Sequence, residues 1–460
     1  MSNRSKWVSF LSRGAALLLS AGLLVSSAGC AGTAGGKDSS GAGDTAGGNY
    51  KVVDLNGRTL RIYQYGFRKA NASEGTKKFM DRVARIEKEF NCTIELPEDD
   101  DYTAVWNDVL AGKPKIDIMQ VAAPHLFAQP ASNGVFQDLN QFPDAIDPSA
   151  EQWDQDLGKM YSLHGHQYAL SNGAEFLTNS VMYFNKRLVR EAGYDPDDLY
   201  KWQEEGTWTW DKFREVAEKV SRLSTADNQI WGCVNNALKL YAGLCISNGT
   251  DWVKMDETGA KFIADDPRCV EATDFMMGMV KDKIIPDTSE FKDYQMFVNG
   301  QSGFITEYIQ RLTEASSGYK TMQDDYGLIM FPKKSADSEY VAFNDWYQGW
   351  AICNGIENPE EVAYVYNALF SKDSADKAEQ EKKDRASRQS WVRDEGSMAV
   401  FDLVEEHSVI SPELFAYPVQ GEWSNVMLDV LKSKKTITQA LQENKSKYDA
   451  TLEDIWAIEE

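Results

Sequence analysis

Histidine, cysteine and proline are scarce: 460 residues contain four His, six Cys and 13 Pro. So few Cys in that length make no disulfide scaffold. None of them forms a Cys-x-x-Cys pair, so the usual zinc and thiol-redox motifs are missing. His164 and His166 lie two apart and would point to opposite sides of a strand, which does not make a metal site. Positive charge is also in short supply, with 48 Lys plus Arg against 71 Asp plus Glu and a net charge of −23. Arg4, Lys6 and Arg13 fall in the first 29 residues, where there is no acid, so the remainder is more acidic still. A body of that charge repels phosphate backbones, and no nucleic-acid partner is expected. Gly36-Lys37-Asp38 is no phosphate loop, lacking both a preceding strand and a Ser or Thr after the Lys. Glu98-Asp99-Asp100-Asp101 lacks the Gly and terminal Glu of a 12-residue calcium loop. There is no Gly-x-Ser-x-Gly elbow and no His-Glu-x-x-His. Nothing points to a metal or a cofactor.

Aromatic side chains are plentiful: 13 Trp, 20 Tyr and 20 Phe. Forty-two per cent apolar and 26% charged residues is an ordinary globular balance, which excludes wholesale disorder. At roughly 100–200 residues per domain, the length allows two to four domains.

The N-terminus reads as an address. A basic stretch is followed by Gly14–Val25, 12 apolar or small residues, too short at about 1.5 Å per residue for roughly 30 Å of hydrocarbon but suited to a signal peptide. Ser27-Ala28-Gly29-Cys30 then resembles the bacterial lipobox, which implies a signal peptide over 1–29 and acylation of Cys30. Residues 31–49 contain no large apolar side chain, so they cannot offset their ordering entropy. They would form a flexible tether of about 25 Å r.m.s. reach. No apolar run elsewhere is long enough to cross a bilayer, so membrane attachment would rest on the lipid alone.

The folded body alternates strands and helices. Arg58–Gly66 reads as a strand, Glu74–Phe90 as a helix with Phe79, Val83, Ile86 and Phe90 on one face, and Cys92–Leu96 as a second strand. Tyr102–Leu110 is a short helix and Ile116–Ala122 a third strand. That order predicts an open parallel sheet covered by helices, with a ligand crevice beyond the carboxyl ends of the strands. The alternation restarts at Ser180–Phe184, continues through a helix over Trp210–Leu223 capped by Thr209 and a strand over Ile230–Val234, then a hairpin at Lys254–Ile263 and a helix after Asp266. The expected fold class is α/β, with two lobes joined by ordered crossings.

Five stretches, in order, now carry a family resemblance. They are Met182–Leu188 (MYFNKRL), Thr207–Phe213 (TWTWDKF), Asp256–Phe275, Phe297–Phe304 (FVNGQSGF), and Tyr326–Pro332 with Trp350–Ile352 and Asn358–Ala363. They resemble the extracellular solute-binding proteins of ABC importers, in the carbohydrate-binding group that includes maltose-binding protein. The resemblance spans about residues 50–460. It implies a two-lobed, periplasmic-binding-protein-like type II fold with a hinge and an interlobe cleft. By family topology the crossings fall near Tyr168–Ser171 and Tyr326–Met330, making lobe one 50–168 plus 328–372 and lobe two 169–327 plus 373–460. It also implies a lipid-anchored protein on the outer side of a bacterial cell membrane. Such a protein captures a sugar or oligosaccharide and delivers it to the permease subunits of an ABC importer, with no catalysis.

Sugar recognition needs aromatic faces for pyranose rings and planar polar groups for hydroxyls. Candidates at the expected cleft are Tyr65, Phe67 and Arg68 after the first strand, His125 after the third, and Glu175 past the first crossing. Glu307 and Tyr308 follow the Phe304 strand, Asp345 and Trp346 sit in an Asn-Asp-Trp-Tyr cluster, and Trp423 lies with Tyr417 on a Pro/Gly-rich loop. Trp208 and Trp210 suit packing against a helix start, and Trp106, Trp231 and Trp391 suit general packing. Cys92, Cys233, Cys245, Cys269 and Cys353 are expected as buried thiols. The competing readings are a secreted carbohydrate-active enzyme, with two carboxylates about 5–10 Å apart across a sugar, and a surface sugar-binding adhesin or sensor. The N-terminal reading makes one direct prediction: the mature protein begins at a lipid-bearing Cys30, and Cys30→Ser releases the body or leaves the signal uncleaved. Mass spectrometry of the mature N-terminus checks it; an unlipidated terminus at another residue would contradict it.

Overall fold

The computed structural model describes residues 50–65, 67, 74–98, 101–121, 127–173, 176–235, 237–287, 293–314, 317–370 and 385–457. Two sheets organise it. The smaller has the order Gly349–Ile352, Ile118–Val121, Arg58–Tyr63, Cys92–Glu95. Its last three strands are mutually parallel, while Gly349–Ile352 runs antiparallel to Ile118–Val121. Successive side chains of a strand point to opposite faces, and here the faces serve different cores. Leu60, Ile62, Ile118, Trp350 and Ile352 pack with Val83 and Ile86 of helix Glu74–Glu89, Phe90 just past its end, and Val362 and Tyr366 of helix Pro359–Phe370. Tyr63, Met119, Val121 and Ala351 turn the other way, into the large core that continues through the second sheet.

The second sheet has the order Ser408–Ile410, Ala342–Asn344, Asn179–Asn185, Ser302–Tyr308, Trp231–Val234. All seven residues of Asn179–Asn185 are buried, as expected of a strand bonded along both edges. Trp208 and Trp210 are fully buried against Phe213, Phe304 and Phe275. All five Cys of the described body are buried thiols.

The expected second crossing is misplaced. Tyr326–Ile329 does not return to the smaller sheet but pairs antiparallel with Met182–Asn185, and Phe343 and Asn344 pair with Ser180 and Asn179 on the same edge. A seven-residue strand accommodates two short strands end to end. The chain therefore reaches the smaller sheet only at Gly349, and residues 345–348 make the crossing. The outgoing segment runs beside it: the Leu170 N–H donates to the Trp350 carbonyl at 3.2 Å and the Trp350 N–H to the Leu170 carbonyl at 2.9 Å. Buried Tyr366 straddles the pair, its hydroxyl donating to the Trp350 carbonyl at 2.7 Å and accepting from the Leu170 N–H at 3.1 Å.

The C-terminal helix Ile437–Trp456, opened by a Thr436–Gln439 capping box, ends by packing Trp456 against Phe127 and Phe415. The ring lies so close to Gly259 (φ +108°) that a Cβ there would sit 2.3 Å from it. The stretch containing Trp423 is helix, not loop. Tyr417–Leu431 tolerates Pro418 in its first turn, and Val419, Trp423, Met427 and Val430 form one buried stripe at helical spacing. Trp423 is wholly buried, 5.0 Å from Phe262 and 6.3 Å from Tyr448 between ring centroids. It is core and not a cleft platform. Trp423→Ala should cost about 3–5 kcal/mol of stability, read as a lowered denaturation midpoint. A variant as stable as the parent would contradict this packing.

Candidate functional site

Open parallel sheets present ligands with the carboxyl ends of their strands. After Arg58–Tyr63 that end carries Tyr65, which is 43% exposed. Its ring lies 6.4 Å from Tyr102, which lies 5.0 Å from Trp106. Tyr102 and Trp106 are neighbours at i, i+4 on helix Tyr102–Leu110, whose N-terminus is capped by the Asp101 carboxylate. Phe67 follows, but it is buried and presents no face to a solute. Arg68, His125 and Glu175 lie outside the described residues.

The second group gathers around the crossing. Its extended backbone alternates sides: Asp345 points in, Trp346 out at 38% exposure, Tyr347 in. The Trp346 N–H donates to Asn344 Oδ1 at 3.1 Å, and Asn344 Nδ2 donates to Thr178 Oγ1 at 2.9 Å. Asp345 has no free edge for a solute. Oδ1 accepts from the Tyr308 hydroxyl at 2.7 Å, and Oδ2 lies 3.7 Å from Lys239 Nζ. The ammonium sits 3.5 Å above the Tyr308 ring, a cation–π contact that offsets part of its desolvation. Glu307, next to Tyr308, is paired with Arg311 at 3.1 Å. The expected direct contacts Asp345 and Tyr308 are thus committed to each other beneath Trp346.

Sequence reasoning missed the other acids of this group. Asp251 accepts from the Ser411 hydroxyl and the Trp252 N–H, each at 2.7 Å. Burial pushes its carboxyl up to about 7, against those hydrogen bonds and helped by the charge of Asp345. Glu413 accepts from the Trp252 indole N–H at 3.1 Å. Burial, and then the charges of Asp345 and Asp251, hold it well above the usual carboxylate range. The one signal was local: Glu413-Leu414-Phe415-Ala416 and Asp251-Trp252-Val253 set an acid against apolar neighbours. Close by, Tyr417 opens the next helix at 52% exposure. Sequence reasoning had placed it beside Trp423 without choosing it.

The exposed rings Tyr65, Trp346 and Tyr417 can stack on the apolar faces of a solute. The acids beneath are buried and mutually engaged, so they offer no pair of free carboxyls to a substrate. Among the described residues no group of three or more His, Cys, Asp and Glu is arranged to hold a metal ion, and no helix is long and apolar enough to cross a membrane.

Two open α/β sheets joined by paired crossings, with aromatic faces at the carboxyl edge and at the crossing, define a two-lobed binding protein of the periplasmic type II fold. The chain belongs to the bacterial extracellular solute-binding protein family, whose family model matches residues 81–380. Similar solved structures include a cyclic α-maltosyl-1,6-maltose binding protein from Arthrobacter globiformis. It is 15% identical with a TM-score of 0.62, covering 87% of this chain and 99% of that one. An ABC substrate-binding protein from Listeria monocytogenes in complex with cycloalternan is 17% identical, with a TM-score of 0.57 and coverage of 86% and 99%. The sugar-binding protein MalE from Xanthomonas citri is 14% identical, with a TM-score of 0.57 and coverage of 87% and 97%. No curated protein matches the sequence.

Proposed function

We propose that this protein captures a sugar or oligosaccharide between its lobes and hands it, unaltered, to an ABC importer in the same membrane. The observation that carries the reading is the set of exposed rings, Tyr65, Trp346 and Tyr417, on a fold whose neighbours include proteins described with bound cycloalternan and with maltose. An indole or phenol ring offers a broad rigid face with little rotamer entropy to lose. Closure of the lobes about the paired crossings would enclose the solute. Cys30 would carry the lipid that holds the protein at the outer face of the membrane, and residues 31–49 would be its tether. Lipid attachment, permease contact and lobe closure are parts of the same proposal.

The test is a thermal-shift and calorimetric screen of mono- and oligosaccharides, followed by chromatography of the recovered ligand. At least one saccharide should raise the melting temperature saturably by mass action and return chemically intact. Trp346→Ala should weaken that ligand by about 2–4 kcal/mol, as for a buried hot-spot residue, or about 30- to 1,000-fold in Kd, while remaining folded. A panel without a binder, or a saccharide recovered as fragments, would overturn the proposal.

A further inference from the structure

An aromatic ring holds the face of a saccharide, but the hydroxyls at the rim distinguish one sugar from another. Asp345 and Tyr308, the polar groups expected to meet them, are bonded to each other. The crossing itself carries a different polar group on the side of Trp346. The alternation that turns Trp346 outward continues along the segment. Trp346 is exposed, Gln348 is half-buried and Trp350 is buried. That side of the crossing thus runs from solvent to core, with an amide between two indoles.

The Gln348 side chain is held in place. Its Oε1 accepts from Gln120 Nε2 at 2.5 Å. Gln120 lies near the carboxyl end of strand Ile118–Val121, opposite Trp350 in the antiparallel pair, and is 2% exposed. The other three residues of that strand are Ile118, Met119 and Val121. A buried amide among them costs free energy unless it is bonded, and the bond to Gln348 offsets that cost. Folding alone does not call for the pair, because replacing both partners of such a bond by apolar side chains of the same shape can be nearly neutral or stabilising.

An amide has two N–H donors and two acceptor lone pairs, so the bond to Gln120 fixes its orientation without exhausting it. Two residues of extended chain advance by about 6.5 Å, enough to reach from the centre of a ring lying on the indole to a hydrogen bond at its rim. We infer that Gln348 is a specificity-determining residue, exchanging hydrogen bonds with hydroxyls at the rim of the saccharide ring that lies on Trp346. Gln120 is the positioning residue that aims its amide. The inference rests on the sugar reading and on the stacking role of Trp346.

The experiment is titration calorimetry on the full chain with glucose, galactose, maltose, cellobiose and maltotetraose, and with the monodeoxy derivatives of each sugar that binds. Gln348→Met, an apolar side chain of similar length, should weaken binding by about 5- to 150-fold, the loss of one hydrogen bond with its partner left unpaired. In the parent, one particular deoxy sugar should lose affinity over the same range. In Gln348→Met that deoxy sugar should bind as well as the intact one, a loss of discrimination at a single hydroxyl that a merely structural change does not produce. The Gln120→Met, Gln348→Met double variant leaves no buried amide stranded. It should melt close to the parent and discriminate as poorly as Gln348→Met, and it gives the same reading if the single variant does not fold. A folded Gln348→Met that binds with parent affinity and still rejects the deoxy sugar overturns the inference and leaves the sugar reading standing. So does a double variant that melts far below the parent and weakens intact and deoxy sugars alike. If no sugar of the panel binds the parent, the sugar reading fails and the inference falls with it.

Discussion

An extended backbone must send consecutive side chains to opposite sides, and the proposed recognition surface depends on that constraint at residues 345–347. Trp346 can face solvent only because Asp345 and Tyr347 face inward. An inward aspartate is expensive unless it is paired, since desolvating a lone carboxylate costs several kcal/mol even after relaxation. Tyr308 and Lys239 supply the pairing, and the phenol ring under the ammonium keeps the cation from being stranded in turn. Removing one partner of such a pair typically costs about 3–5 kcal/mol because a buried charge is left behind. The placing of the ring at the surface is therefore tied to the pairing of its inward-facing neighbour.

The same crossing also joins the sheets. Its continuation, Gly349–Ile352, closes the edge of the smaller sheet and exchanges two hydrogen bonds with the outgoing segment at Leu170. Trp350 stacks on Phe370 at 3.9 Å between centroids, and Tyr366 bonds both strands of the crossing. Narrow, ordered connections of this kind let two bodies rotate while fixing the axis of rotation. In the proposed closure, a solute that touches Trp346 would touch the segment that the rotation bends, coupling recognition to closure without a separate relay.

Much of this was legible in the sequence, and the failures have physical causes. Helix Glu74–Glu89 and the strands around it followed from apolar spacing, because each buries one face or both. Trp208 and Trp210 were rightly read as packing residues ahead of a helix. Trp423 was misjudged because Pro418 and Gly421 looked like loop punctuation. The apolar stripe from Val419 to Val430 was the stronger signal, and a proline in a first helical turn breaks nothing. The second crossing was misplaced because nothing local reveals that Asn179–Asn185 pairs with two strands along one edge. The Asn344-Asp345-Trp346-Tyr347 cluster was found, yet its aspartate was assigned to solute and not to the interior. Its partners stand at 239 and 308, and only the folded chain brings them together.

The most direct measurement of the account is hydroxyl-radical footprinting of the full chain with and without the saccharide that gives the largest thermal shift. On saturation, oxidation should fall at Tyr65, Trp346 and Tyr417, the three exposed rings assigned to the solute, and stay unchanged at Leu110, which is exposed on the helix that carries Tyr102. Unchanged oxidation of all three rings under saturating ligand, or protection confined to other surfaces, would contradict it.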